Sequence, residues 1–303
     1  MDLSVVVPTL NGRERLAASL DALASVAPGA EVVVVNGPST DGTTGMVRER
    51  DDVDVLVEIA ARNVNVARNA GIEVATGEAV GFVGFDHRVE TGWLDGVRGA
   101  LTDGAAVVTG PLRRSVRGGT TSDGPERRRI VDREVSYFNG RNVVFDRSVL
   151  DDLDGFDEYL ETGGARDTAH RLAGMDVEVE WHPEVAARRR TEATDGGVET
   201  RDLGWKYRAL AYRLTKNYGV RPTVVRRTLG HAGGDAVGTL RDVLGGDATP
   251  TSWAGNGRDI VRGISAGMSD GLVARARDRS PKRNPNGVSV RADRAVARYD
   301  RRD

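Results

Sequence analysis

The sequence contains no cysteine, which excludes disulfide bridges, thiolate metal sites and a cysteine nucleophile. It also lacks any run of about 20 apolar residues, the length of a membrane-spanning helix, so we expect any membrane contact to be peripheral. Charge of one sign is not in excess, since 43 Lys and Arg residues oppose 45 Asp and Glu residues. The resulting net charge of −2 argues against nucleic acid as a specific partner.

The chain of 303 residues is long enough for one large domain, or for a domain with an appendage. A strand-like run, Leu3–Pro8, begins almost at once, without a basic and then apolar leader before it. We therefore expect synthesis and folding in the cytoplasm, with attachment to the cytoplasmic face of a membrane as an option.

The first third of the sequence alternates short β-branched runs with segments of helical periodicity. This alternation predicts an α/β fold with a mostly parallel, twisted sheet flanked by helices. The predicted strands are Leu3–Pro8, Glu31–Val35, Val53–Ile59, Ala79–Val83 and Ala105–Thr109. The predicted helices are Arg13–Val26, a segment ending near Glu49, Val66–Ala75 and Gly92–Leu101.

The alternation stops after residue 111. Arg113–Asp132 lacks an apolar stripe and predicts a mobile loop, and Asp278–Asp303 is polar and broken by prolines, which predicts a disordered tail. The elements expected in between are strands Asn142–Phe145 and Val177–Trp181 and helices Ala165–Met175, Asp202–Tyr218, Pro222–Leu244 and Gly257–Arg275. The predicted organisation is a catalytic domain over 1–198, divided at 111/112, then a helical extension over 199–277 and the tail.

The stretch Ala79–Arg88 is the predicted centre of the chemistry. Its apolar strand ends at Asp86 and His87, and the carboxyl ends of strands are where open α/β sheets bind ligands. Asp86 is a candidate ligand for a divalent cation, Mg²⁺ or Mn²⁺, with turn capping as the plain alternative. His87 is a candidate second ligand that favours Mn²⁺, or a surface histidine.

Five motifs, in their order along the chain, resemble family 2 glycosyltransferases, which have the GT-A fold. They are Val5–Asn11, Val34–Thr43, Ala67–Ile72 with Ala75–Glu78, Gly155–Glu158, and Arg166-Asp167 with Arg171-Leu172. The resemblance covers roughly Leu3 to Ala187. It implies transfer of a sugar from a nucleoside-diphosphate sugar to a glycan hydroxyl, with inversion at the anomeric carbon.

The family's Asp-any-Asp metal motif falls on Gly84-Phe85-Asp86, so its first carboxylate is missing. The resemblance places donor contacts on the turns after the first two strands and on Arg68. Arg68 has the chemistry to bind diphosphate oxygens, or to pair with Glu73 or Asp86. The other donor-side candidates are Thr9, Asn11, Asn36 and Asp41, and for Asp41 a position at a helix start is the favoured alternative.

On the acceptor side the resemblance makes Asp167 the base that takes the proton of the acceptor hydroxyl. The alternative is a carboxylate at a helix N-terminus. The family's Glu-Asp pair reads Arg166-Asp167 here, a change suited to an acidic substrate. Asn142, Gly163, Gly164 and His170 complete the predicted acceptor side, with a surface position as the alternative for His170.

Aromatic and basic residues alternate over 202–218, a pattern that fits either a helix at a membrane interface or a helix packed on the catalytic domain. The interface alternative would suit an acceptor glycan linked to a polyprenyl or dolichyl phosphate, in polysaccharide synthesis or protein N-glycosylation. Two rival functions remain open. One is a non-catalytic GT-A-like protein that binds a nucleotide or glycan, and the other is a nucleotidyltransferase.

Overall fold

The computed structural model describes residues 1–116, 119–122, 124–189, 203–226, 228, 230 and 250–302. The chain divides into two compact units. The first comprises residues 1–128, 134–196 and 286–303, and the second comprises residues 129–133 and 197–285.

Four parallel strands form the centre of the first unit: β1 (Leu3–Thr9), β2 (Glu31–Asn36), β3 (Val55–Ile59) and β4 (Ala79–Val83). Their valine runs are buried along the whole strand, as expected where helices cover both faces of a parallel sheet. The connecting helices are α1 (Arg13–Val26), α2 (Thr43–Arg48), α3 (Val64–Val74) and α4 (Trp93–Thr102). These elements confirm the predicted alternation.

The second half of this unit adds strands of both directions. They are β5 (His87–Val89), β6 (Val107–Thr109), β7 (Leu112–Val116), β8 (Gly119–Ser122), β9 (Glu126–Ile130), β10 (Arg133–Tyr137), β11 (Asn142–Asp146), β12 (Glu180–Trp181) and β13 (Ala187–Arg189). Helices α5 (Arg147–Leu153) and α6 (Gly164–Leu172) follow β11. The prediction of a loop over Arg113–Asp132 is wrong, because three strands lie in it.

The main sheet has eight strands in the order β12, β6, β11, β4, β1, β2, β3 and β14, where β14 is Ala295–Asp300. Strand β11 is antiparallel to both β4 and β6, so its first residue lies beside the last residue of β4. This reversal brings Arg141, which precedes β11, to the carboxyl edge of the parallel strands.

The predicted disordered tail, 278–303, contains a 3-10 helix and a strand, which corrects that prediction; residues 286–303 belong to the first unit. A short 3-10 helix covers Val288–Val290, and β14 pairs antiparallel with β3 at the edge of the main sheet. The end of the predicted tail therefore closes one edge of that sheet.

The second unit contains α7 (Leu203–Tyr218), a helical segment at 222–226 and α8 (Pro250–Arg277). Residues 231–244 of the predicted helix Pro222–Leu244 lie outside the described residues. The predicted helix Gly257–Arg275 is confirmed as part of α8. None of the described helices combines the length and apolar character needed to cross a membrane.

The aromatic residues of α7 do not form an exposed face. Tyr207, Tyr212 and Tyr218 are buried, and so is Lys216, whose ammonium lies 5.3 Å from the ring centre of Tyr212. Helix α7 thus packs within its own unit, and these side chains are not presented to a membrane interface.

Candidate active site

A cavity of about 800 Å³ opens at the carboxyl ends of the four parallel strands in the first unit. Its floor is made of the last residues of these strands and the residues that follow them: Pro8, Thr9 and Leu10 at the end of β1, Gly37 after β2, Ile59 and Ala61 at the end of β3, and Val83, Gly84 and Phe85 at the end of β4. The size suits a nucleotide-sized ligand, and the position is where open α/β sheets bind ligands.

The first turn of α3 forms one wall of the cavity. Asn63 caps this helix, since its side chain accepts hydrogen bonds from the N–H groups of Asn65 and Val66 at 2.8 and 3.4 Å. The Asn63 amide also donates to the carbonyl oxygen of Glu158 at 2.9 Å, and that of Asn65 donates to the carbonyl oxygen of Leu160 at 2.6 Å. These bonds fix the loop that carries Glu161 into the cavity lining.

Arg68 lines the cavity but is almost fully buried, with 6% of its surface exposed. Its guanidinium donates to Asn65 Oδ1 at 2.9 Å and to the carbonyl oxygen of Gly140 at 2.7 Å. It makes no ion pair with a carboxylate of the described residues, and its Nε, like the Oγ1 of Thr9, is buried without a partner. In proteins such buried polar atoms are completed by an ordered water or by a ligand, and these two belong to residues that line the same cavity.

Burial lowers the pKa of Arg68 to about 10, and the nearby charge of Arg141 acts in the same direction. Arg68 therefore stays a cation at neutral pH. An anionic ligand would relieve the cost of keeping this unpaired charge buried.

Residues from the β9–β10 hairpin and α6 form the opposite wall. Arg166 donates to Glu126 at 2.7 Å, and its guanidinium carbon lies 4.2 Å from the ring centre of Tyr137. The hydrogen bond from Arg166 lowers the pKa of Glu126 below its ordinary value. All three side chains line the cavity.

Gly163 and Gly164, two of the residues predicted for the acceptor side, lie at the start of α6 and line the cavity; their contact with an acceptor stays a prediction. Gly163 has a φ of 78°, which favours glycine. A Cβ on Gly164 would lie 2.3 Å from Asn65 Oδ1, so only glycine allows α6 to approach α3 this closely.

Asp86 and His87 are not among the residues that line the cavity. One oxygen of Asp86 lies 2.7 Å from Nδ1 of His87, and the other lies 2.9 Å from Nε of Arg189. Burial raises the pKa of Asp86, but the hydrogen bond and charge of His87 and the charges of Arg141 and Arg189 outweigh it and lower this pKa to about 2.

The residues present do not fit a metal centre. Mg²⁺ binds carboxylate oxygens at about 2.0–2.1 Å, and both oxygens of Asp86 are already engaged. In the part of the chain that the structure describes, no three His, Asp or Glu side chains form a group suited to a metal ion. The predicted roles of Asp86 and His87 as metal ligands are therefore not supported by the geometry.

Asp167 is also absent from the cavity lining. It is fully buried and pairs with Arg171 one turn along α6, with Nε 3.0 Å from Oδ2. A base must reach the acceptor hydroxyl, so this position does not support the predicted catalytic role. Its neighbour Arg166 faces the cavity instead.

The remaining donor-side candidates hold the turns together rather than lining the cavity. Asn11 accepts a hydrogen bond from Thr40 N–H at 2.8 Å, and Asn36 donates to Thr44 at 2.9 Å. Asp41 accepts from the N–H groups of Arg13 and Thr43 at 3.0 and 3.1 Å, next to the start of α2, which agrees with the helix-start alternative.

The remaining acceptor-side candidates are buried behind the cavity. Asn142 accepts from the Trp93 indole at 2.9 Å and donates to the carbonyl oxygen of Val185 at 2.8 Å. His170 packs edge-on against Tyr137 with ring centres 5.5 Å apart, and it is Tyr137 that lines the cavity. Both side chains support the wall and do not form it.

Several lining residues have no signal in the sequence pattern. Glu126 lies in the segment Arg113–Asp132, for which the sequence predicts a loop, Tyr137 lies on the partner strand β10, and Arg141 reaches the cavity because β11 is antiparallel. Glu161 stands two residues before the predicted Gly163-Gly164 turn, and that proximity was the one available signal.

Comparison with known proteins identifies the family of the chain. A model described as "Glycosyl transferase family 2" matches residues 4–156. A pre-mycofactocin glycosyltransferase of Mycobacterium tuberculosis is 27% identical over 215 residues, 64% of this chain and 44% of that protein. Glycosyltransferase AglE of Haloferax volcanii is 28% identical over 178 residues, 54% of this chain and 58% of that protein. The chain thus spans about half the length of these relatives.

Solved structures show the same fold at low identity. The mannosyltransferase PcManGT from Pyrobaculum calidifontis, in complex with GDP-Man and Mn²⁺, has a TM-score of 0.55 and 19% identity, covering 92% of this chain and 88% of that one. S. aureus TarS 1-349 has a TM-score of 0.57 and 16% identity, covering 93% and 88%. These similarities confirm the predicted GT-A architecture, and because the family model matches half of its residues, the chain belongs to glycosyl transferase family 2.

Proposed function

We propose that this protein transfers a sugar from a nucleoside-diphosphate sugar, bound in the cavity, to a hydroxyl group of a glycan. One observation carries the proposal: the buried, unpaired guanidinium of Arg68 in the wall of a cavity at the sheet's carboxyl edge. A diphosphate supplies both the negative charge and the acceptor atoms that this group lacks.

The reaction exchanges one bond of the anomeric carbon for another. The bond from this carbon to the β-phosphate oxygen breaks, and the nucleoside diphosphate leaves with the bonding electron pair. The acceptor oxygen forms the new bond and gives its proton to a carboxylate. A single displacement of this kind inverts the anomeric configuration, which proton NMR of the product would show.

We assign Glu161 as the base that accepts the proton of the acceptor hydroxyl. It lines the cavity and is exposed, and among the described residues it makes no ion pair. Glu126, the other acidic residue of the lining, is engaged by Arg166, and its lowered pKa makes it the weaker base.

The names of the relatives support glycosyl transfer as the reaction. One relative is named a pre-mycofactocin glycosyltransferase and the other glycosyltransferase AglE, so a glycan acceptor is our own proposal. A lipid-linked acceptor stays a finer proposal, and the buried tyrosines of α7 lend it no support. Dependence on a divalent cation is suggested by the Mn²⁺ of the Pyrobaculum enzyme, whereas the occupied carboxylate of Asp86 speaks against it.

The test is a thermal-shift screen of UDP-, GDP- and dTDP-sugars, followed by measurement of nucleoside diphosphate release with candidate glycans. A donor present at 100 times its Kd should stabilise the fold by about 2.7 kcal/mol. Arg68→Met should weaken binding of the same donor by about ten- to hundredfold, because one charge-assisted contact is lost.

Arg98→Gln is the matched control, because Arg98 is exposed on α4 outside the cavity. Its donor affinity should equal that of the unaltered protein. Equal affinity in Arg68→Met would contradict the proposed donor site. Donor binding without any release of nucleoside diphosphate would favour the non-catalytic alternative.

A further inference from the structure

The end of β4 has no room for the carboxylate that the family motif places at Gly84. A Cβ on Gly84 would lie 2.7 Å from Nδ1 of His87 and 3.0 Å from Cβ of Arg141. The Gly84 N–H also donates to the Arg141 carbonyl oxygen at 3.0 Å, which holds the two residues side by side. The side chain of Arg141 therefore covers the position that an acidic residue would occupy.

The second carboxylate of the motif, Asp86, is present, but both of its oxygens are already paired. Arg189 of β13 and His87 each hold one oxygen of Asp86, and only 7% of its side chain is exposed. Coordination of a cation by Asp86 would require Arg189 to leave and its positive charge to be replaced. At the first position of the motif the side-chain stem of Arg141 fills the space, and at the second the guanidinium of Arg189 pairs with the carboxylate that metal chemistry needs free.

Arg141 also faces the space that the proposed donor would fill. It lines the cavity with Gly84 on one side, and Gly140, just before it, accepts the hydrogen bond from Arg68. The charge of Arg141 is close enough to Arg68 to contribute to the lowering of the Arg68 pKa. Two neighbouring cations in one wall form a site for a dianion.

We propose that the diphosphate of the donor is neutralised by Arg141 and Arg68 without a divalent cation, while Arg189 keeps Asp86 closed to metal. This inference rests on the proposed function, since it concerns the same donor. It replaces the expected Mg²⁺ or Mn²⁺ with side chains of this chain.

The experiment measures UDP and GDP binding to the 303-residue chain by titration calorimetry, with EDTA and with excess MnCl₂. We expect the two Kd values of the better ligand to agree within about twofold. Arg141→Gln should weaken the binding of that ligand by about ten- to hundredfold in either buffer, because one charge-assisted contact is lost. Arg98→Gln, the exposed control, should leave the affinity unchanged.

A second measurement needs no variant. The electron paramagnetic resonance spectrum of Mn²⁺ mixed with the chain and the nucleotide should equal the spectrum of Mn²⁺ and nucleotide without the protein. Arg189→Met frees one oxygen of Asp86 and should make nucleotide binding respond to Mn²⁺, which is the expected gain if Arg189 keeps the site closed.

Two results would overturn the inference in different ways. Binding that EDTA abolishes and Arg141→Gln leaves intact would show that a metal ion carries the diphosphate, with the proposed glycosyl transfer still standing. No binding of any nucleotide in either buffer, together with no transfer, would remove the proposed function itself.

Discussion

Arg171 is a fully buried cation, and every group around it is arranged to satisfy it. Asp167 lies 3.0 Å from its Nε, and the carbonyl oxygens of Leu153 and Gly155 each accept a hydrogen bond from it at 2.8 Å. Removing one partner of a buried ion pair leaves an uncompensated charge, which costs about 3–5 kcal/mol. This pair stabilises the fold of α6 against the loop before it.

Asp167→Asn should therefore lower the free energy of unfolding by about 3–5 kcal/mol, measured by urea denaturation. Nucleotide affinity of the folded fraction should not change, because Asp167 does not line the cavity. Asp167→Asn combined with Arg171→Met should lose less stability than the sum of the single changes. Full stability with abolished turnover would instead restore Asp167 as the base.

Glu161→Gln should behave in the opposite way. Glu161 is exposed, so the free energy of unfolding should change by no more than about 0.5 kcal/mol. Loss of the proton acceptor should lower kcat about 10²- to 10⁴-fold with an unchanged Kd for the nucleoside diphosphate. Steady-state kinetics and calorimetry on the two variants, Glu161→Gln and Asp167→Asn, would separate the two carboxylates; turnover unaffected by Glu161→Gln would rule out the assignment.

The sequence predicts the strands and helices around the site well, but it does not predict which of their side chains face the cavity. Asp86 and Asp167 stand at the predicted places, but Arg189 and Arg171 occupy their carboxylates. Arg189 is 103 residues from Asp86 along the chain. No local pattern shows whether a carboxylate faces a cavity or a distant guanidinium.

Helix α8 approaches α7 through a row of glycines in the second unit. A Cβ added to Gly263 would lie 2.2 Å from the carbonyl oxygen of Gly204, and one added to Gly267 would lie 2.2 Å from that of Arg208. A Cβ added to Gly271 would lie 2.7 Å from the carbonyl oxygen of Tyr212. Backbone atoms cannot move aside as side chains do, so the helix separation depends on these three positions. Ion pairing between Arg208 and Asp270 at 2.8 Å adds to the contact.

Gly267→Ala should destabilise the second unit, although alanine favours a helix over glycine by about 1 kcal/mol. Overpacking typically costs about 1–3 kcal/mol, and here the clash is with backbone, so it should outweigh the gain. Gly257→Ala is the matched control, because no atom lies within 4 Å of its Cβ position; it should stabilise the protein by about 0.5–1 kcal/mol. Urea denaturation would compare them, and an equal gain in both would disprove the tight contact.

Strands of the main sheet were predicted where valines run together, as in β1, β2 and β4. The strands between 112 and 130 were missed because Arg, Ser and Thr replace the apolar alternation. Strand β14 was missed for a related reason: an edge strand needs few buried side chains, and Ala295–Asp300 is largely exposed. Such strands are specified by their backbone pairing, which a hydrophobic pattern does not record.

At the scale of the whole chain, the sequence leaves the first unit after residue 196, forms the second, and returns to the first at residue 286. Arg294 anchors residues 286–303 to the rest of the first unit. Its side chain is fully buried and pairs with Glu73 of α3 and with Glu158, and it donates to the Gly287 carbonyl oxygen at 2.9 Å. The first unit is therefore complete only with residues far from it in sequence.

Arg294→Gln should lower the stability of the first unit by up to about 3–5 kcal/mol near neutral pH, because two partly buried carboxylates lose their cation. Burial already raises the pKa of Glu73, the charge of Glu158 adds to this, and Arg294 and Arg291 oppose it. Without Arg294 that pKa rises further. A carboxyl with a raised pKa contributes its stability below its ordinary value of 4.5 and loses it as the pH rises through the raised value.

The stability deficit of Arg294→Gln should consequently grow from pH 4.5 to pH 8, as measured by urea denaturation of both proteins across that range. Arg298→Gln on β14 is the control, because its exposed pair with Asp300 should contribute no more than about 1 kcal/mol and should show no such growth over this range. A deficit for Arg294→Gln that does not vary with pH would mean that lost packing, and not the charge on Glu73 and Glu158, accounts for the effect.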